Sequence, residues 1–70
     1  MERLPIDSTQ ISSMGYNPLT GNLEIQFRKG AKVGQYHGVS PDEWQLLQES
    51  ESKGQFLNRV IKPTKSFTYL

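Results

Sequence analysis

His37 is the only histidine in this 70-residue chain, and there is no cysteine. The inventory of groups able to do covalent or metal chemistry is therefore short. A two-histidine metal site is excluded by count, and so is a His-paired nucleophile oriented by a second histidine. Thiolate zinc sites and disulfide staples go with the missing cysteines. A Ser-His-Asp arrangement would need Asp7 or Asp42 and one of many serines, and none of these stands in a nucleophile-elbow sequence. His37 reads instead as a partly exposed strand residue. Glu43, Glu49 and Glu51 suggest a carboxylate cluster, but Glu43 has a better use at a helix start and the other two suit a solvated helix end. Gly30 and Gly54 lie outside any P-loop or dinucleotide pattern. The expectation is no catalytic residue, no cofactor-binding residue and no metal ligand, hence a protein that is no enzyme and takes no cofactor.

The charges carry more information through their placement than through their sum. Net charge is +1 and the pI about 8.1, below the range of strong nucleic-acid binders. Yet Lys53, Arg59, Lys62 and Lys65 occupy residues 52–70 without an acid, and Arg28, Lys29 and Lys32 form a second cluster. Asp42, Glu43, Glu49 and Glu51 gather between them. If the two basic groups converge, Arg28, Lys29, Lys32, Arg59 and Lys62 make a stripe for phosphates, with Arg59 and Lys62 neighbours on a helix. If they do not, they are an ordinary solvated surface. Tyr36 has two readings as well: exposed on a sheet it stacks a base, and buried it fills the core.

The elements that must hold these residues follow from periodicity. Met14 and Tyr16 share one face of a strand, with Ile11 entering across a bend or bulge. Asn17-Pro18-Leu19-Thr20-Gly21-Asn22 is turn chemistry. Leu23, Ile25 and Phe27 then alternate with Glu24, Gln26 and Arg28, as in a strand buried on one side. Residues 29–32 make a second turn, and residues 33–39 a third strand, in which Gly34 and Gly38 signal a bulge or a close approach by another segment.

Ser40-Pro41-Asp42-Glu43 is a capping box with proline at the first helical position, and Val39 can staple against Trp44. Trp44 and Leu47, with Leu46 beside them, form the stripe that faces the core. Ser52-Lys53-Gly54-Gln55 opens a second helix carrying Phe56, Leu57, Val60 and Ile61, which Pro63 stops. Residues 1–10 read as a lead-in, and residues 64–70 as an edge strand or a loose tail. One α+β domain results, in the order β-β-β-α-α: a three-stranded antiparallel meander with both helices on one face. Phe27, Tyr36, Trp44, Phe56 and Ile61 are expected in one core. No stretch has the length of a signal-peptide apolar region or a membrane span, so the chain reads as a soluble cytoplasmic protein with no membrane partner.

Taken in order, these residues resemble the KTSC domain. The resemblance runs through Ile11, Met14-Gly15-Tyr16-Asn17, Leu23-x-Ile25-x-Phe27, Gly30, Tyr36 and Val39-Ser40-Pro41. It continues through Ser50-x-Ser52-x-Gly54 and Phe56-x-Asn58-x-x-Ile61, and so covers about residues 8–62. That family is named for a C-terminal segment of some lysyl-tRNA synthetases and includes small stand-alone bacterial and phage proteins. Its central Tyr-x-Tyr pair falls here on Gly34 and Tyr36, so one ring of a paired-aromatic platform is missing. Ser50 stands where the family usually has alanine. The synthetase association implies RNA binding, of tRNA or single strands, with Arg28, Lys29, Lys32, Tyr36, Arg59 and Lys62 as the contacts. The alternative is a protein–protein adaptor of bacterial or phage origin acting on a host component. Its partner would pair with an edge formed by residues 33–39 or by the Phe67-Thr68-Tyr69-Leu70 tail.

Overall fold

Strand β3 (Asn22–Phe27) carries the predicted alternation and lies at the centre of a five-stranded antiparallel sheet ordered β1-β2-β3-β4-β5. The computed structural model describes residues 3–5 and 8–70. The other strands are β1 (Leu4–Pro5), β2 (Ile11–Asn17), β4 (Val33–His37) and β5 (Ser66–Tyr69). Strands β2, β3 and β4 are the expected meander, and the α+β class holds. The sheet is wider than the three strands read from the sequence, because each edge gains one. The lead-in supplies β1, and the 64–70 segment supplies β5 and is no loose tail. The lead-in's residues 1, 2, 6 and 7 lie outside the described residues.

The hairpins follow from local chemistry. In β2 the register shifts between Ile11 and Ser13, the bulge that lets Ile11 join the face of Met14. The Asn17 carboxamide accepts from the Leu19 N–H at 2.9 Å, and Gly21 closes the turn at φ 74°. Between β3 and β4, Gly30 and Ala31 both take positive φ, 76° and 51°, and the Phe27 N–H donates to the Lys32 carbonyl at 2.8 Å. Strand β4 stops at His37, two residues short of the expected 33–39. The physical reason is Gly38, whose φ of 76° turns the chain so that Val39 drops into the core. Its amide there donates to the Gly21 carbonyl at 2.9 Å.

Helix α1 (Pro41–Glu49) starts on the predicted box. The Glu43 N–H donates to Ser40 Oγ at 3.1 Å, and the Ser40 N–H donates to Glu43 Oε1 at 2.9 Å. Two of the orphan amides of the helix start are thereby satisfied. Trp44 stacks on Tyr16 with centroids 5.4 Å apart, while the Tyr16 hydroxyl donates to the Val39 carbonyl at 2.6 Å. Burial, and then the nearby Glu43 charge, raise the Tyr16 phenol above its ordinary range, which keeps it a donor. Leu47 is fully buried, but Leu46 is 54% exposed and leaves the stripe, since adjacent helical residues point about 100° apart.

Helix α2 (Lys53–Phe56) is capped by Ser52, whose Oγ accepts from the Gln55 N–H at 3.3 Å. It runs into a π turn, Leu57–Ile61, marked by the Lys62 N–H donating to the Leu57 carbonyl at 2.8 Å. Gly54 is buried against the Gln10 side chain, and a Cβ there would lie 2.4 Å from Gln10 Oε1. Leu57 and Ile61 turn inward, whereas Val60, expected among them, is exposed.

The helices cover one face of the sheet. Ile11, Met14, Leu23, Ile25, Leu47 and Ile61 are fully buried between the layers, joined by Tyr36, Val39 and Leu57. Each such aliphatic side chain contributes roughly 1.5–3 kcal/mol by leaving water. Of the aromatic set expected in the core, Tyr36 lies inside it, and Phe27, Trp44 and Phe56 pack partly buried against it. The opposite face is polar: Ser13 donates to Gln26 at 3.2 Å, Arg3 pairs with Glu24, and His37 bridges two strands.

Candidate nucleic-acid interface

The β4–β5 register places Phe67 beside Tyr36 and Tyr69 beside Gly34. With no side chain at Gly34, the Phe67 ring settles on bare backbone; a Cβ there would lie 2.1 Å from its Cζ. The Phe67 centroid is 4.7 Å from Tyr36, 4.8 Å from Tyr69 and 6.2 Å from Phe27. The ring that appeared to be missing at position 34 is thus supplied across the strand pair. These aromatics emerge at the sheet edge on the helix-bearing face. Phe67 is 36% and Tyr69 63% exposed.

Two clefts open along this cluster, sharing Phe27 and Tyr69 as walls. One, of about 310 Å³, is lined by Phe27, Tyr36, Asn58, Lys62, Phe67 and Tyr69. The other, of about 340 Å³, is lined by Phe27, Lys29, Gly30, Lys32 and Tyr69. The Lys32 ammonium sits 5.7 Å from the Tyr69 centroid, over the ring. No acidic side chain lines either cleft, and Lys29, Lys32 and Lys62 have no carboxylate partner among the described residues. The lining combines aromatic faces with unneutralised ammonium groups, which suits an anion that carries flat rings.

The remaining residues singled out from the sequence go elsewhere. Tyr36 is 4% exposed, so its ring belongs to the core and is covered against stacking; burial, and then nearby Tyr69, hold its phenol above the ordinary range. The Arg28 guanidinium donates to the carbonyls of Ser8 at 2.7 Å and Ile11 at 3.3 Å, so it fastens the segment before β2 rather than facing a cleft. Arg59 lines a separate depression with Glu51, Ser52 and Phe56. Arg59 and Lys62 were expected as helical neighbours, but Lys62 lines the aromatic cleft and Arg59 does not; the Lys62 N–H here bonds the Leu57 carbonyl five residues back, so the regular α-helical spacing is broken. Lys65 pairs with Glu43 at 3.0 Å. The structure therefore brings together Lys29, Lys32 and Lys62, and separates Arg28 and Arg59 from them.

His37 faces the other side of the sheet. Its Nδ1 lies 3.1 Å from Asn22 Oδ1 and its Nε2 3.1 Å from Thr68 Oγ1, so both ring nitrogens are used in tying β3, β4 and β5 together. Glu43 is occupied by the cap and Lys65. Glu49 accepts from the Gln45 carboxamide at 3.2 Å. Among the described residues no group of three or more His, Cys, Asp or Glu could hold a metal ion, and no helix is long and apolar enough to cross a membrane.

The sequence reading missed Phe27, Phe67, Tyr69 and Asn58 as members of this surface. The Phe-x-Tyr alternation near the C-terminus, set against a glycine in the preceding strand, was the available signal.

Comparison with known proteins agrees over most of the chain. The KTSC domain family matches residues 7–67. The crystal structure of a KTSC domain protein from Yersinia pestis superposes with a TM-score of 0.92 at 38% identity, covering 99% of this chain and 96% of that one. A protein of Stutzerimonas stutzeri described as uncharacterized is 38% identical over 63 residues, 90% of this chain and 87% of its own. A protein of Tsukamurella paurometabola is 36% identical over 59 residues, 84% of this chain and 87% of its own.

Proposed function

The chain belongs to the KTSC domain family, and from that premise and the chemistry of the paired clefts we propose that it is a non-enzymatic binding module for single-stranded RNA. The carrying observation is the convergence of Lys29, Lys32 and Lys62 on the aromatic walls formed by Phe27, Phe67 and Tyr69. Ammonium groups neutralise phosphates, and exposed rings stack bases that are not already paired. A duplex keeps its base faces to itself, so an aromatic cleft favours loops, ends and single strands. Such a role places the protein in the cytoplasm.

The footprint is small. Three lysines imply a salt dependence of roughly two in the slope of log affinity against log salt, at about 0.7 per phosphate on a single strand. Binding should be weak at physiological salt and clear at low salt. The test is a mobility shift at low salt with one RNA sequence offered as a single strand and as a perfect duplex. Tyr69→Ala should weaken the single-strand complex by about 1–3 kcal/mol, the value of one stacked base. Equal binding of the two forms, or none, would count against the proposal.

A second reading has its own observation. All four residues of β5 are exposed, and the strand forms one edge of the sheet, whereas the 33–39 segment lies between two partners and offers no edge. An extended protein segment could add to β5 by main-chain pairing. A tagged pull-down split into nuclease-treated and untreated halves separates the readings, because only a direct protein partner survives nuclease.

A further inference from the structure

Although they share two walls, the clefts do not carry the same chemistry. The one beside the β3–β4 turn offers Lys29 and Lys32, besides the Tyr69 that both clefts share. Ammonium groups are donors without acceptor capacity, and they hold a phosphate whatever base it carries. The cleft beside the π turn contains Asn58 besides Lys62. A carboxamide presents a donor next to an acceptor, the combination that reads a base edge. The Asn58 side chain is exposed and makes no hydrogen bond within the protein among the described residues, so its amide is available.

Asn58 stands four residues before Lys62, so the two share one face of the helical segment. Both reach the cleft, while Leu57 and Ile61, also four apart, fill the core.

We infer that the two clefts take consecutive nucleotides of unequal status: one is only held, by Lys29 and Lys32, and the other is read by Asn58, with adenine preferred. The inference rests on the single-strand RNA reading above. Adenine follows from the pairing. The Asn58 carbonyl accepts from adenine N6–H while its NH₂ donates to N7, the bidentate match of a carboxamide to a base. Guanine presents two acceptors at that edge and must turn its Watson–Crick edge, N1–H beside O6, to make the match, whereas adenine matches at either edge. Cytosine offers a donor beside an acceptor at N4 and N3, but a smaller face for Phe67 and Tyr69 to cover. Uracil likewise offers a donor beside an acceptor, N3–H and O4, on the same smaller pyrimidine face.

The probes are fluorescein-labelled eight-nucleotide RNAs, all-uridine or carrying one adenine in the same uridine background. One adenine avoids the self-stacking of an adenine run. Fluorescence anisotropy at low salt should show the adenine strand bound about tenfold tighter. Asn58→Ala should weaken the adenine strand several-fold more than the uridine strand, and Lys29→Gln with Lys32→Gln should weaken both strands equally. Thermal melts of each variant confirm that this exposed substitution leaves the fold intact. Equal binding of the two strands by the wild type, or an equal loss on both strands in Asn58→Ala, overturns the assignment of Asn58 while leaving RNA binding in place. Binding of neither strand overturns the RNA reading itself, and this inference with it.

Discussion

The Phe67 ring occupies the space that a side chain at Gly34 would fill, and so one missing Cβ anchors the whole of β5. A glycine inside a strand is normally a weakness, since it costs entropy and packs nothing. Here it is a socket. The two positions are therefore energetically coupled. Gly34→Ala should expel the ring and destabilise the domain by about 1–3 kcal/mol, as overpacked sites do. Phe67→Ala should cost about 1–2 kcal/mol from lost burial and ring contacts. In the Phe67→Ala background, Gly34→Ala should cost less than about 0.5 kcal/mol, because neighbours that share a space are non-additive. Chemical denaturation of the four proteins gives the cycle, and additive effects would separate the residues.

Helix α1 presents one leucine to the core and its neighbour to solvent, Leu47 and Leu46 respectively. Leu47→Ala should cost about 2–5 kcal/mol, a large part of the stability of so small a domain. Leu46→Ala should change stability by less than about 0.5 kcal/mol. Comparable losses at both positions would mean the helix is rotated.

Acid should loosen the start of the same helix. The Glu43 carboxylate accepts from the Ser40 backbone N–H and pairs with Lys65, and these contacts hold its pKa below the ordinary glutamate value, the Ser40 hydrogen bond most of all. A folded-state pKa that is depressed contributes stability above the unfolded pKa, and this stability is lost as pH falls through the folded one. Stability should thus be flat near neutrality and decline as pH falls below the ordinary glutamate range. Glu43→Gln keeps an acceptor for the cap and removes the charge, so it should reduce that decline in melts across pH. Ser40→Ala should cost about 1 kcal/mol at neutral pH by removing the cap. An unchanged acid profile in Glu43→Gln would assign the decline to another carboxylate.

The parts of this fold that were legible in the sequence are those written by local pattern. The alternation of Leu23, Ile25 and Phe27, the bulge that admits Ile11, and the Ser40–Glu43 and Ser52 caps all follow from neighbours a few residues apart. Strand β5 was not legible as such, because its residues are exposed and its pairing is decided by a glycine more than thirty residues away in β4. The π turn was hidden for another reason. Phe56, Leu57 and Ile61 suit an α-helix equally well, and the extra residue per turn shows only in the backbone. Along this segment Arg59 and Lys62 line different depressions, and Asn58 joins Lys62. Arg28 looked like a third member of the basic hairpin, yet its guanidinium reaches carbonyls that the sequence gives no way of placing nearby.

The most direct measurement is the salt dependence of single-stranded RNA binding by the wild type, Lys32→Gln/Lys62→Gln and Arg59→Gln, with melting curves as the control. The wild type should show a slope of roughly −2 in log affinity against log salt. The double substitution should flatten it by about 1.4 and weaken binding at low salt, while Arg59→Gln, outside the clefts, leaves both nearly unchanged. No detectable binding at low salt, or a slope that falls with Arg59→Gln and not with the lysine pair, would contradict the cleft as the site.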